Sequence, residues 1–179
     1  MEQLAFEEVD YWDELVGIMD YAKKHVHATL YICWGAQAGL YHHYGIPKYG
    51  LPRKLSGIFS HTINDPTNQL FRGFDDVFHA PHSRHTEVRS EDIAKIPSLE
   101  ILAESDEAGV LVAGTLDGRS MFITGHLEYD RDTLDAEYRR DVAKGLEIAP
   151  PAHYYPEDDA TRPPLVSWRP MPICSIPTG

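Results

Sequence analysis

Residues 28–45 read A-T-L-Y-I-C-W-G-A-Q-A-G-L-Y-H-H-Y-G, and the fold turns on how Cys33 is placed within them. ATLYIC (28–33) is a short β-rich apolar run. WGAQAGLYHHYG (34–45) has helical character and stops at Gly45-Ile46-Pro47, a strong termination signal. Cys33 thus sits where a strand turns sharply into a helix. Small residues at Gly35, Ala36, Ala38 and Gly39 let that helix approach the sheet closely. This is the nucleophile-elbow pattern with a thiol in place of a hydroxyl. The helix N-terminus is expected to favour the thiolate, and the N–H groups after Cys33 to hold an oxyanion. Taken alone, the same pattern fits an inert cysteine at a strand end about equally well, since free cysteine is often buried.

Working outward, residues 8–25 are expected to form an amphipathic helix with Trp12, Val16, Met19 and Tyr21-Ala22 at helical spacing. KYGLPRK (48–54) reads as a loop, LSGIFSHTI (55–63) as a strand, and NDPTN (64–68) as a turn. VFHAPHSRH (77–85) reads as strand then loop. Residues 99–105, 109–116 and 119–125 form a meander of three strands, with Asp117-Gly118 as a hairpin turn. DRDTLDAEYRRDVAKG (130–145) is a helix closed by Gly145, and the chain is Pro-rich and irregular from Ala149. Alternating strands and helices predict an α/β sheet covered on both faces.

His126 strengthens the case for Cys33. It follows strand RSMFITG at its carboxyl end, the edge where open α/β sheets place their sites. Glu128 lies two residues on and can orient the imidazole, which gives a Cys33-His126-Glu128 triad in chain order. His42-His43, His79, His82 and His85 have an odd spacing for zinc and no cysteine partner, so no metal is expected. Arg84, Arg139 and Arg140 are each able to bind a carboxylate, or to serve as plain surface charge.

Composition bounds the rest. The 179 residues suit one domain; 42% are hydrophobic and 25% charged, an ordinary globular balance. Sixteen basic against 28 acidic side chains give a net charge of -12, which argues against a nucleic-acid partner. No apolar run reaches the roughly 20 residues that cross a bilayer. With two cysteines, an acidic N-terminus and no signal peptide, a cytoplasmic protein with reduced thiols is expected.

Several stretches together resemble the homoserine O-acyltransferases (acetyl- or succinyl-) of methionine biosynthesis. They are YICWGAQAGLYHHYGIPK (31–48), RKLSGIF (53–59), RGFDDVFHAPHSRH (72–85), LEILAES (99–105), ITGHLEYD (123–130), YYPEDD (154–159) and SWR (167–169). The resemblance runs from about Glu2 to Arg169. It implies an α/β fold, the class I glutamine amidotransferase-like (flavodoxin-like) sandwich, here without its N-terminal βα units. It implies that Cys33 carries the acyl group as a thioester, with His126 and Glu128 as partners. Lys54, Ser83 and Arg140 fall on the family's substrate-binding positions, Arg140 on the one for the homoserine carboxylate. No bound cofactor or metal is implied; acyl-CoA, with acetyl-CoA favoured, is co-substrate to L-homoserine, and a homodimer is compatible. Glu2 falls where glutamate accompanies acetyl-CoA use and glycine accompanies succinyl-CoA use.

The sequence departs from the family at both ends. Residues 1–169 are expected to be the catalytic portion of one domain, with a start read from an internal valine codon. Residues 170–179, Cys174 among them, are expected to be a frameshifted tail, since the coding bases read one position earlier can spell H-A-N-L-L-Y-S-N-W. Two competing readings are a glutamine amidotransferase-type hydrolase on the same fold and an inactive fragment.

Overall fold

The computed structural model describes residues 2–169; the expected frameshifted tail and Cys174 lie outside them. The elements run α1 (Trp12–His25), β1 (Thr29–Ile32), α2 (Trp34–Tyr44), β2 (Tyr49–Ile63), β3 (Val77–Glu87), α3 (Ser90–Ile93), β4 (Leu99–Ser105), β5 (Gly109–Thr115), β6 (Ser120–Ile123) and α4 (Thr133–Ala143). Short 3₁₀ turns lie at Phe6–Glu8, Gln69–Phe71 and Pro156–Asp158.

The strands form one six-stranded mixed sheet in the order β1-β6-β5-β4-β2-β3. β1 and β6 are parallel, with Ile32 opposite Ile123; the other pairs are antiparallel. Cys33 N–H extends the parallel ladder by donating to Ile123 O at 2.7 Å.

Two expectations needed correction. The loop over 48–54 is the start of β2, yet its register breaks between Gly50 and Leu55, so Leu51–Lys54 leave the ladder and carry Lys54 out of it. Pro52 has no N–H to pair, which is why a loop is legible there. β3 continues unbroken through His85 to Glu87. As the last strand in the order it tolerates Pro81, whose carbonyl accepts from His126 N–H at 2.8 Å.

That bond shows the sheet curling. β3 stands four strands from β6, yet Phe78 and Ala80 share an apolar cluster with Leu111 and Ile123. On the other face α1 and α2 bury Trp12, Met19, Ala36, Ala38 and Leu40 against Tyr31, Ala113 and Phe122. So α1 and α2 cover one face, the curl with Phe71 packs on the other, and Leu134 of α4 packs with Tyr154, Tyr155 and Trp168 around Ile58 of β2. At β1, Leu30 and Ile32 stay exposed.

Close helix–sheet approach depends on Gly39 rather than on Gly35. A Cβ at Gly39 would lie 2.9 Å from the Phe122 ring and 3.0 Å from Tyr31, two rings stacked 4.9 Å apart; at Gly35 it would meet nothing within 4 Å. Gly39→Val is therefore expected to cost about 1–3 kcal/mol through overpacking. Gly35→Ala should be neutral or stabilising by up to about 1 kcal/mol through helix propensity. Urea unfolding of both variants checks this, and equal losses would contradict it.

Candidate active site

Cys33 caps α2 with φ 52° and ψ −119°. A positive φ is uncommon for a side chain with a Cβ and persists where the surroundings impose it. Here the ladder bond from Cys33 N–H holds one side, and Ala36 and Gln37 N–H donate to Cys33 O on the other. The turn projects the thiol from the carboxyl end of β1.

His126 lies just past the carboxyl end of β6, the strand parallel and adjacent to β1. Its N–H is fixed by Pro81 O, and its Nδ1 lies 2.7 Å from Glu128 Oε1. A carboxylate only accepts, so Nδ1 carries a proton, and in the neutral ring Nε2 is the nitrogen with a lone pair to act as base. Tyr129 stacks on the ring at 4.1 Å between centroids. The elbow cysteine and the His-x-Glu pair thus share one sheet edge.

The thiol is more reluctant to ionise than its place at a helix start led us to expect. Burial pushes it up to about 11, and the Glu2 charge adds to this. The Trp34 N–H and Arg84 favour the thiolate, while Glu128 opposes it. Desolvation outweighs one helix end.

The other expected residues form a second group beside the first. Lys54 Nζ lies 3.1 Å from Asp141 and 3.5 Å from Glu137. Ser83 Oγ also donates to Glu137, and so does Tyr129 OH at 2.9 Å. Arg140 binds Asp141 at 2.8 Å and stays half-exposed. Sequence reasoning missed Glu137 and Tyr129. Glu137 lies one helical turn before Asp141, and Tyr129 directly follows Glu128, so both were within reach of the motifs already quoted. Tyr129 joins the groups, since its ring packs on the base and its hydroxyl reaches Glu137. Burial and Glu137 raise that phenol, keeping it a donor. A cleft of about 610 Å³ adjoins the Lys54 end, lined by Arg53, Lys54, His85 and Tyr138, and not by Cys33 or His126.

Glu2 is anchored rather than frayed. Its Oε1 accepts from Thr86 N–H and Thr86 Oγ1 at 3.0 Å each, and from His85 N–H at 2.5 Å. Arg84 is not a surface charge; it is 2% exposed. Arg139 forms an exposed ion pair with Asp135. Among the described residues Asp20, His42 and His43 offer ligand atoms within 4.8 Å of one another. Zinc at 2.0–2.1 Å from each would draw them to roughly 3.4 Å. As they stand, His42 bonds Asp20 at 2.8 Å, and His43 meets Tyr31 OH at 3.1 Å.

Comparison with known proteins gives three findings. A family model described as homoserine O-succinyltransferase matches residues 1–172. Proteins named homoserine O-acetyltransferase from Brevibacillus brevis and Clostridium beijerinckii are each 60% identical over 169 residues, 94% of this chain. The match covers 55% and 56% of those relatives, so the chain spans about half their length. Among solved structures, a glutamine amidotransferase from Thermotoga maritima aligns with TM-score 0.64 at 16% identity, over 82% of this chain and 62% of that one. One from Methylobacillus flagellatus aligns with TM-score 0.63 at 13% identity, over 92% and 61%. The last two show the class I glutamine amidotransferase-like fold alone.

Proposed function

The chain belongs to the homoserine O-succinyltransferase family, and from that premise we propose that it is the catalytic portion of a homoserine O-acetyltransferase. The observation that carries this reading is the placement of the Cys33 elbow and of the His126-Glu128 pair just past the carboxyl ends of two adjacent parallel strands. Cys33 Sγ attacks the thioester carbonyl of acyl-CoA as His126 Nε2 takes the thiol proton. N–H groups at the start of α2 hold the oxyanion. CoA thiolate leaves and takes that proton, and the acyl group stays on Sγ. The homoserine hydroxyl then attacks, losing its proton to His126, and the O-acyl product releases Cys33. Lys54, Ser83 and Arg140 bind the amino acid in this reading. Arg140 would exchange Asp141 for the substrate carboxylate, which its exposure permits. No bound metal or cofactor is required, and we place the reaction in the cytoplasm.

Glu2 supports acetyl as the acyl group. It is bonded to Thr86, whose hydroxyl also lies 2.7 Å from Gln37 Oε1 on the first turn of α2, the helix that Cys33 caps. Succinyl ends in a carboxylate, and two like charges about 4 Å apart cost on the order of 4 kcal/mol at an effective dielectric near 20. Solvent and the donors on Glu2 reduce this. Incubation with acetyl-CoA should add one acetyl group at Cys33, read by intact mass, and homoserine should discharge it. Glu2→Gly should raise succinyl-CoA use relative to acetyl-CoA by about 10- to 1,000-fold. Ammonia from glutamine, with no acyl adduct, would instead identify a hydrolase; an unchanged donor ratio would remove Glu2 from donor choice.

A further inference from the structure

Arg84 is buried without a carboxylate. Its Nη1 donates to Thr86 O at 2.7 Å, its Nη2 to Ala108 O, and its Nε to His82 Nδ1 at 3.4 Å. Among the described residues no acidic side chain comes within ion-pairing distance of it. A guanidinium taken out of water and given only neutral acceptors is costly, and arginine is seldom fully buried unless paired.

The rings beside it add no compensating charge. Arg84 has no acceptor, so its bond to His82 Nδ1 leaves the His82 proton on Nε2, where it faces His61 Nε2 at 3.0 Å. Burial, with Arg84 beside them, keeps both imidazoles from protonating. Among the described residues this leaves Arg84 as the one buried permanent cation, beside two neutral imidazoles.

Three groups of negative or potentially negative charge act on Arg84: Glu87, Cys33 and Glu2. Glu87 is turned to Arg89 at 3.7 Å. Glu2 is held by the His85 and Thr86 donors. Cys33 remains, and the framework ties it to Arg84. Arg84 Nη1 shares the Thr86 carbonyl with Gln37 Nε2, which sits 3.1 Å from that oxygen, and Gln37 N–H closes the first turn of α2 on Cys33 O.

We propose that the buried guanidinium of Arg84 is the counter-charge of the Cys33 thiolate. It rests on the reading of Cys33 as nucleophile. Arg84 is then a positioning residue that acts through the thiol and touches no substrate. The charges acting on the thiol are Glu2 and Glu128, which oppose ionisation, and Arg84, which favours it; the thiol in turn acts on the phenol of Tyr129, whose ring stacks on His126. Arg84 offsets the two carboxylates that the site keeps for other purposes.

The test is the pH profile of iodoacetamide alkylation at Cys33, read by peptide mass in a Cys174→Ser background. It needs no acyl transfer, so its failure is separable from failure of the proposed activity. Arg84→Met should move the midpoint up by about one unit or more, which is about tenfold slower alkylation at pH 8, while Arg84→Lys stays within about half a unit of the native midpoint. A folded Arg84→Met chain with an unmoved midpoint would overturn the proposal, as would an Arg84→Lys shift equal to that of Arg84→Met. If Arg84→Met does not fold, Arg84→Gln, whose amide can still donate to the Thr86 and Ala108 carbonyls, is read in the same alkylation assay: an upward midpoint shift of about one unit or more is expected, and an unmoved midpoint would overturn the proposal.

Discussion

Cys33→Ala is expected to lower acetyl transfer to homoserine by on the order of 10⁴-fold or more, with no acyl adduct by intact mass. The expectation follows from the elbow. Cys33 caps α2 at the β1–α2 turn, and alanine there leaves the proposed acyl transfer without a nucleophile. Circular dichroism and unfolding should show an intact fold, because only one half-buried sulfur atom is removed, a loss of about 1 kcal/mol or less. Full activity in Cys33→Ala would remove the covalent mechanism. Inactivation by Cys174→Ser instead would show that the wrong cysteine had been chosen.

His126→Asn should fall nearly as far, about 10³- to 10⁴-fold in kcat, since both half-reactions of the proposed mechanism route a proton through Nε2. Glu128→Gln should lose less, about 10²-fold. Its carboxylate holds Nδ1–H at 2.7 Å, but the side chain is half-exposed, so water replaces part of its effect. An amide also accepts or donates, which lets the unwanted tautomer form. The pattern to look for is kcat falling in both variants with KM for homoserine nearly constant. A larger loss in Glu128→Gln than in His126→Asn would mean that the carboxylate, and not the imidazole, moves the proton.

Much of the site could be seen in the residues themselves. The strand-turn-helix around Cys33 and the strand-end H-x-E around His126 are local patterns, and local patterns survive folding. What was not visible is long-range. Pro81 in β3 suggested a loop because a proline weakens a ladder, and only the curl of the sheet gives its carbonyl a partner at His126. Arg84 looked like surface charge because arginine usually is, and nothing near it in sequence says that it is buried and shares the Thr86 carbonyl with Gln37 of α2. The thiol was expected to be acidic from its place at a helix start. Burial and two acidic side chains, both far away in sequence, reverse that. Glu137 went unnoticed because its partners Lys54, Ser83 and Tyr129 come from three separate segments.

The backbone at Cys33 also bears on how this position is kept over generations. With φ at 52° and ψ at −119°, a side chain there costs of order 1–3 kcal/mol that glycine would not incur. Random drift toward greater stability would therefore favour glycine at position 33, and only selection for reactivity opposes it. A lineage that no longer needed the thiol would be expected to lose it early, and to gain a firmer fold as it did so.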